Sequence, residues 1–199
     1  KSNMPQVLNI PTMDTMNDDE FFAFCEANRR NGMHFERDKN GSIIFMSPTG
    51  SIGGSRDLEI AFEIKFWAKK NKQGIAFGSS TGFTLPDGSV KSPDVAWINR
   101  TRWERVPPAM RRKFAPICPD FVVEVISESD NWSEHENKMR EYMANGCRLG
   151  WLIDPAEQTY MIFTPNNTNP EKRPFEVING GDVLEGLEID LRTVFEDIG

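Results

Sequence analysis

The stretch PDFVVEVISESD, residues 119–130, decides the fold. Phe121, Val122, Val123, Val125 and Ile126 form an almost unbroken apolar run with Glu124 in its middle. A β-branched run this short reads as a strand covered on both faces, as at the centre of a mixed or parallel sheet. An ionised carboxylate there loses hydration and must find a partner. Side chains alternate along a strand, so Val122, Glu124 and Ile126 share one face. The residues alone leave two partners open: a structural ion pair with Arg or Lys, or a bound cation.

Downstream, SEHENKMREYMANG (133–146) is predicted as a helix. Ser133 and Glu136 suit a capping box, and Gly146 suits the position just past the end. Met139, Tyr142 and Met143 mark its buried stripe. Lys138 borders that stripe, so its ammonium can reach back toward Glu124 or simply lie solvated. Upstream, SPDVAWI (92–98) reads as a second strand entered through Pro93-Asp94, with Asp94 on the face of Ala96 and Ile98. If the two strands are neighbours, Asp94 and Glu124 converge. Two carboxylates a few ångströms apart repel unless a cation lies between them. Mg²⁺ or Mn²⁺ fits an all-oxygen site of this kind. A lysine beside it would orient water or stabilise charge on a phosphate.

The rest of the chain frames these elements. Its 199 residues suggest one domain, predicted over 17–199 with an N-terminal extension over 1–16. It begins at Lys1 rather than Met, and KSN is read as a cloning remnant outside the fold. Asn17, Glu20 and Gly32 bracket a first helix. HFERDKNGSIIFM reads as a hairpin turning at Asn40-Gly41. SPTGSIGGS (47–55) reads as a flexible loop before a helix whose apolar face is Leu58, Ala61, Phe62, Ile64, Phe66 and Trp67. Strand pairs 148–154 and 159–165 turn at Pro155. Together these predict an α/β or α+β domain with a central mixed sheet flanked by helices.

A net charge of −7 opposes nonspecific coating of nucleic acid but leaves room for a local basic groove. Arg100, Arg102, Arg105, Arg111, Arg112 and Lys113, with Trp103, are either such a groove or a solvated face. Cys25, Cys118 and Cys147 match no zinc or disulfide pattern and read as reduced thiols of a cytoplasmic protein. No run has the length of a membrane span, and no leader pattern is recognised. His34 and His135 do not pair at metal-ligand spacing, although His135 lies near Lys138.

TGFTLPDGSVKSPDVAWI, CPDFVVEVISESD and KMREYMANGCRLGWLIDP, in that order, resemble the Uma2 family, formerly a domain of unknown function. That family is similar to the PD-(D/E)XK nucleases. The resemblance implies a restriction-endonuclease-like fold and metal-dependent hydrolysis of DNA, with Asp94 and Glu124 as metal ligands and Asp94, Glu124 and Lys138 as catalytic residues. The usual lysine position falls on Ile126, so the resemblance assigns its role to Lys138. Ile52 stands where some relatives carry Glu, and Glu59 or Glu63 are the candidate substitutes. Glu36 matches a recurrent family glutamate, either at the site edge or in a structural pair. Cleavage of both strands would call for a homodimer. The competing expectations are a catalytically silent nuclease fold with a binding or regulatory role, and a metal-independent hydrolase using paired carboxylates.

Overall fold

The computed structural model describes residues 7–8, 16–29, 33–46, 48–127 and 130–196. Gly32 and Ser47, named above, and most of residues 1–16 lie outside them. The strands are β1 (Val7–Leu8), β2 (His34–Arg37), β3 (Ile43–Met46), β4 (Gly74–Gly78), β5 (Phe83–Thr84), β6 (Val90–Lys91) and β7 (Val95–Asn99). They continue with β8 (Phe121–Val125), β9 (Leu149–Asp154), β10 (Thr159–Phe163), β11 (Arg173–Pro174), β12 (Val177–Gly180) and β13 (Leu184–Asp190). The helices are α1 (Asp18–Arg29), α2 (Ser51–Asn71), α3 (Arg100–Arg105), α4 (Trp132–Ala144) and α5 (Leu191–Val194).

The central sheet has six strands in the order β11-β10-β9-β8-β7-β4. It is mixed: β8 pairs β9 in parallel, and its other pairings are antiparallel. Alternation along β8 splits the core in two. Phe121, Val123 and Val125 pack with Ile60, Ile64 and Trp67 of α2. Val122 and Ile126 pack with Met139, Tyr142 and Met143 of α4. A sheet covered on both faces explains the continuous apolar run of β8. A second sheet, β1-β3-β2-β6-β5, packs on α1 through Phe21, Phe35, Ile43 and Val90. The hairpin β12–β13 joins the α2 side of the core through Ile178, Leu187 and Ile189. Among the described residues no helix is long and apolar enough to cross a membrane.

Local chemistry explains most boundaries. The capping box of α1 forms: Asn17 N–H donates to Glu20 at 2.9 Å and Glu20 N–H donates to Asn17 at 3.0 Å. The β2–β3 hairpin turns through Gly41 at φ 91°, a conformation a side chain would strain. Two expectations need correction. α4 starts before Ser133, and its cap is Asn131, whose Oδ1 accepts from Ser133 N at 3.0 Å. The stretch 51–55 is not loop but the first turns of α2, where Gly54 N–H already bonds Gly50 O at 2.9 Å.

The apolar face of α2 is also narrower than its composition suggests. Ile60, Ile64, Trp67 and Ala68 face the core, whereas Leu58, Phe62 and Phe66 remain 69%, 57% and 58% exposed. A helix resting on a sheet buries one stripe, and a row displaced around the cylinder stays outside it.

Candidate active site

The site forms where the start of β7 meets the end of β8. Antiparallel pairing sets Val95 opposite Val123, so Asp94 continues the ladder opposite Glu124. The link is direct: Val125 N–H donates to Asp94 Oδ2 at 2.7 Å. Glu124 is 2% exposed and lies on the α4 side of the sheet with Val122 and Ile126. Lys138, in the second turn of α4, reaches it: Nζ lies 2.9 Å from Glu124 Oε1. Ile126 is buried in the core and carries no polar atom to the site. The three residues singled out from the sequence therefore come together.

The second sheet adds a residue whose role the sequence left open. Glu36, on β2, is buried, and its Oε1 lies 2.9 Å from Lys138 Nζ. The same oxygen accepts Ser92 N–H at 2.8 Å. Lys138 also donates to Ser92 O at 3.4 Å. Lys91 stands 3.9 Å from Glu36 Oε2 but 2.9 Å from Glu141 Oε2. Glu36 thus lies at the edge of the candidate site and is the middle link of an ion-pair network that runs from Glu124 through Lys138 and Lys91 to Glu141.

Around Glu124 the remaining partners are polar. Tyr142 OH donates to Oε1 at 3.1 Å. His135 Nδ1 lies 3.9 Å from Oε2, buried and without a hydrogen-bond partner, while Nε2 lies 3.4 Å from Asp130. In a neutral ring protonated on Nε2, Nδ1 turns a lone pair toward a carboxylate. Asp57 on α2 completes the group, and the sequence reading missed it. Glu59 is exposed and Glu63 is partly so. Asp57 instead feels both Glu124 and Asp130. The missed signal was the acidic residue closing GSIGGSRD.

The electrostatics are those of crowded acids. Burial, then the charges of Glu124 and Asp57, push the Asp94 carboxyl well above its ordinary range, against the Val125 N–H and Lys138. Burial, then Glu124 and Asp130, push Asp57 up to about 6. Burial alone would lower the Lys138 pKa, but Glu124, Glu36 and Asp94 outweigh it and hold the ammonium above its usual value. Burial would raise Glu36, yet Lys138, Lys91 and the Ser92 N–H keep it below the usual carboxylate value. Burial and the charges of Glu124 and Glu36 raise the Tyr142 phenol, so it serves as a neutral donor. Asp57, Asp94 and Ser92 face a cleft of about 410 Å³ walled by Met33, Phe35 and Phe114.

The basic excursion is largely committed to the fold. Arg102 pairs with buried Asp120 at 2.8 Å and Lys113 with Asp19 at 2.8 Å. Arg100 donates to Lys72 O at 3.0 Å. Arg111 donates to Val106 O at 2.7 Å and lies over the Trp103 ring. Arg105 and Arg112 are exposed.

A solved structure described as "a putative nuclease belonging to DUF820", from Anabaena variabilis, shares the fold, with a TM-score of 0.68 at 20% identity. The match covers 90% of this chain and 97% of that one. Among curated proteins none matches. The Uma2 family, described as "Putative restriction endonuclease", matches residues 18–192, which include every site residue above. Because that match spans most of its residues, the chain belongs to the Uma2 family.

Proposed function

We propose that this protein is a divalent-metal-dependent endonuclease that hydrolyses phosphodiester bonds in DNA. The observation that carries the reading is the convergence of Asp94 and Glu124 on one end of the β7–β8 ladder, with the Lys138 ammonium against Glu124. The family's description, "Putative restriction endonuclease", supports DNA as the substrate.

The residues suit a hard cation. Acceptors outnumber donors: Asp57 and Asp94 are both pushed up by Glu124, and the orphaned His135 Nδ1 faces Glu124 Oε2. The carboxylate oxygens suit Mg²⁺ or Mn²⁺. Asp94 and Glu124 would hold the ion, with Asp57 as a third carboxylate. Among the described residues no three acid, His or Cys side chains already stand as a ligand cluster, and Lys138 is what lies on Glu124. Such an ion, when bound, supplies Lewis acidity toward a phosphoryl oxygen and lowers the pKa of a bound water.

The chain's own groups have separate tasks. Lys138 is held charged, so it donates rather than accepts a proton; it orients the attacking water or binds the scissile phosphate. Tyr142 fixes the Glu124 carboxylate through its hydroxyl. The backbone N–H of Val125 fixes Asp94. A metal-independent pair of acid and base carboxylates fits poorly, because an ammonium sits 2.9 Å from Glu124.

The decisive assay offers plasmid, linear duplex and single-stranded DNA with Mg²⁺ or Mn²⁺, to wild type beside Glu124→Ala and Lys138→Ala. Wild type is expected to cut, to stop in chelator, and to outpace both variants. Equal cutting by all three proteins would place the activity elsewhere and end the assignment. A silent fold would show neither cutting nor metal binding.

Asp57 makes a narrower test. Asp57→Asn is expected to lower metal-supported cleavage by about 10- to 100-fold, the range for losing a group that supports a metal ligand. Glu59→Gln and Glu63→Gln should stay within about twofold of wild type, as solvated helix charges do. Rates measured at saturating and limiting Mn²⁺ separate lost affinity from lost turnover.

A further inference from the structure

We propose that Lys138 is the resident counter-ion of Glu124 in the metal-free protein, and that Glu36 is the positioning residue that keeps this ammonium when a divalent cation takes Glu124. The inference rests on the metal-site reading above and assigns the traffic of charge within it.

Three acceptors surround Lys138 Nζ: Glu124 Oε1 at 2.9 Å, Glu36 Oε1 at 2.9 Å and Ser92 O at 3.4 Å. An ammonium has three protons, so each can be satisfied. If Glu124 turns to a metal, Glu36 and Ser92 still hold the lysine, and a buried cation is not left unpaired. Glu36 is built to stay: its Oε1 is pinned by Ser92 N–H at 2.8 Å, and it sits on β2, an inner strand of its sheet. Glu124 also survives the exchange, because Tyr142 OH keeps a hydrogen bond to Oε1 at 3.1 Å. Lys91 cannot replace Lys138; its close partner is Glu141, at 2.9 Å.

Without Glu36 the lysine would have only Ser92 O besides Glu124. It would then compete for Glu124 in full, and an incoming cation would have to strand it. Glu36 therefore sets metal affinity through Lys138, not by its charge alone.

The test uses the metal-stripped full chain and Mn²⁺ alone, titrated by calorimetry, with no DNA. Lys138→Met is expected to bind Mn²⁺ more tightly than wild type. Glu36→Gln should weaken binding about tenfold, yet by no more than about twofold in a Lys138→Met background, since coupled residues fail to add. Glu36→Asp keeps the charge but shortens the reach, and should weaken binding as Glu36→Gln does. Lys91→Met should change affinity less than Lys138→Met.

Equal factors for Glu36→Gln in both backgrounds, or unchanged binding in Glu36→Asp, would mean that only long-range charge acts and would overturn the proposal while leaving the metal site intact. Absence of Mn²⁺ binding in wild type and every variant, with folding verified by circular dichroism, would overturn the metal site itself and the exchange with it.

Discussion

Asp94→Asn is expected to remove metal-supported cleavage by roughly 10²- to 10³-fold, the cost of losing a main electrostatic element of an active site, and at the same time to raise the thermal midpoint of the metal-free protein. The two effects have one cause. Burial and the charges of Glu124 and Asp57 raise the Asp94 carboxyl well above its value in an unfolded chain. Above about pH 4 the folded state then holds more protons than the unfolded state, and stability falls as pH rises toward the folded pKa. The penalty is complete above that pKa. Asparagine keeps an oxygen for the Val125 N–H but removes the charge, so the stabilisation should be absent near pH 4 and grow toward neutral pH.

Asp57 contributes in the same direction, its share of stability being lost as pH rises through about 6. Saturating Mn²⁺ should reverse the order, because an ion that binds only the folded wild type stabilises it by mass action. Melting curves in chelator and in Mn²⁺, from pH 4 to 8, decide the matter. A variant less stable than wild type at neutral pH in chelator would show that Asp94 is held by favourable partners, not crowded by acids. Such a cost in stability for function is common at active sites.

The parts of this site that could be read from sequence are those whose geometry is local. Alternation along β8 fixes the face of Glu124, and the stripe Met139, Tyr142, Met143 fixes the side of α4 that Lys138 borders. One further step, the pairing of β7 with β8, brings in Asp94. Glu36 was visible as a residue but not as a partner. Its link to Lys138 depends on how the second sheet folds against α4, and no periodicity records that.

Asp57 already lies in the helix expected after residue 55; what no periodicity shows is that the start of this helix lies near Glu124 and Asp130. Two glycines, at 53 and 54, read as a breaker, yet one sits where Thr49 Oγ1 would lie 2.6 Å from an added Cβ. The close approach of Thr49 is accommodated by Gly53 despite the low helix propensity of glycine. The broad apolar arc of α2 misled for a different reason: composition counts apolar residues, whereas burial depends on which stripe meets the sheet.

Gly74→Ala is expected to destabilise the protein by about 3 kcal/mol, at the upper end of overpacking costs, lowering the thermal midpoint by roughly 6–12 °C at this chain length. Gly74 opens β4, the edge strand, opposite Asn99 of β7. A Cβ there would lie 2.3 Å from Trp97 Cε2, 2.4 Å from Trp97 Cζ2 and 2.4 Å from Ile98 O. The carbonyl belongs to the sheet backbone and cannot swing away. The indole is buried and packs edge-on against Trp67 at 5.9 Å. Relief therefore requires prying β4 from β7 or unseating the two tryptophans that join α2 to the sheet.

Gly78→Ala is the internal control, since it closes the same strand opposite Val95 and its Cβ would meet nothing within 4 Å. That change should be neutral or slightly stabilising, because alanine lowers the entropy of the unfolded chain. Because β7 carries Asp94 immediately before its first residue, Gly74→Ala should also weaken Mn²⁺ binding, while Gly78→Ala leaves it unchanged. Equal melting temperatures for the two variants would show that the Trp97 layer yields without cost and that β7 is not the rigid base on which the acidic pair depends.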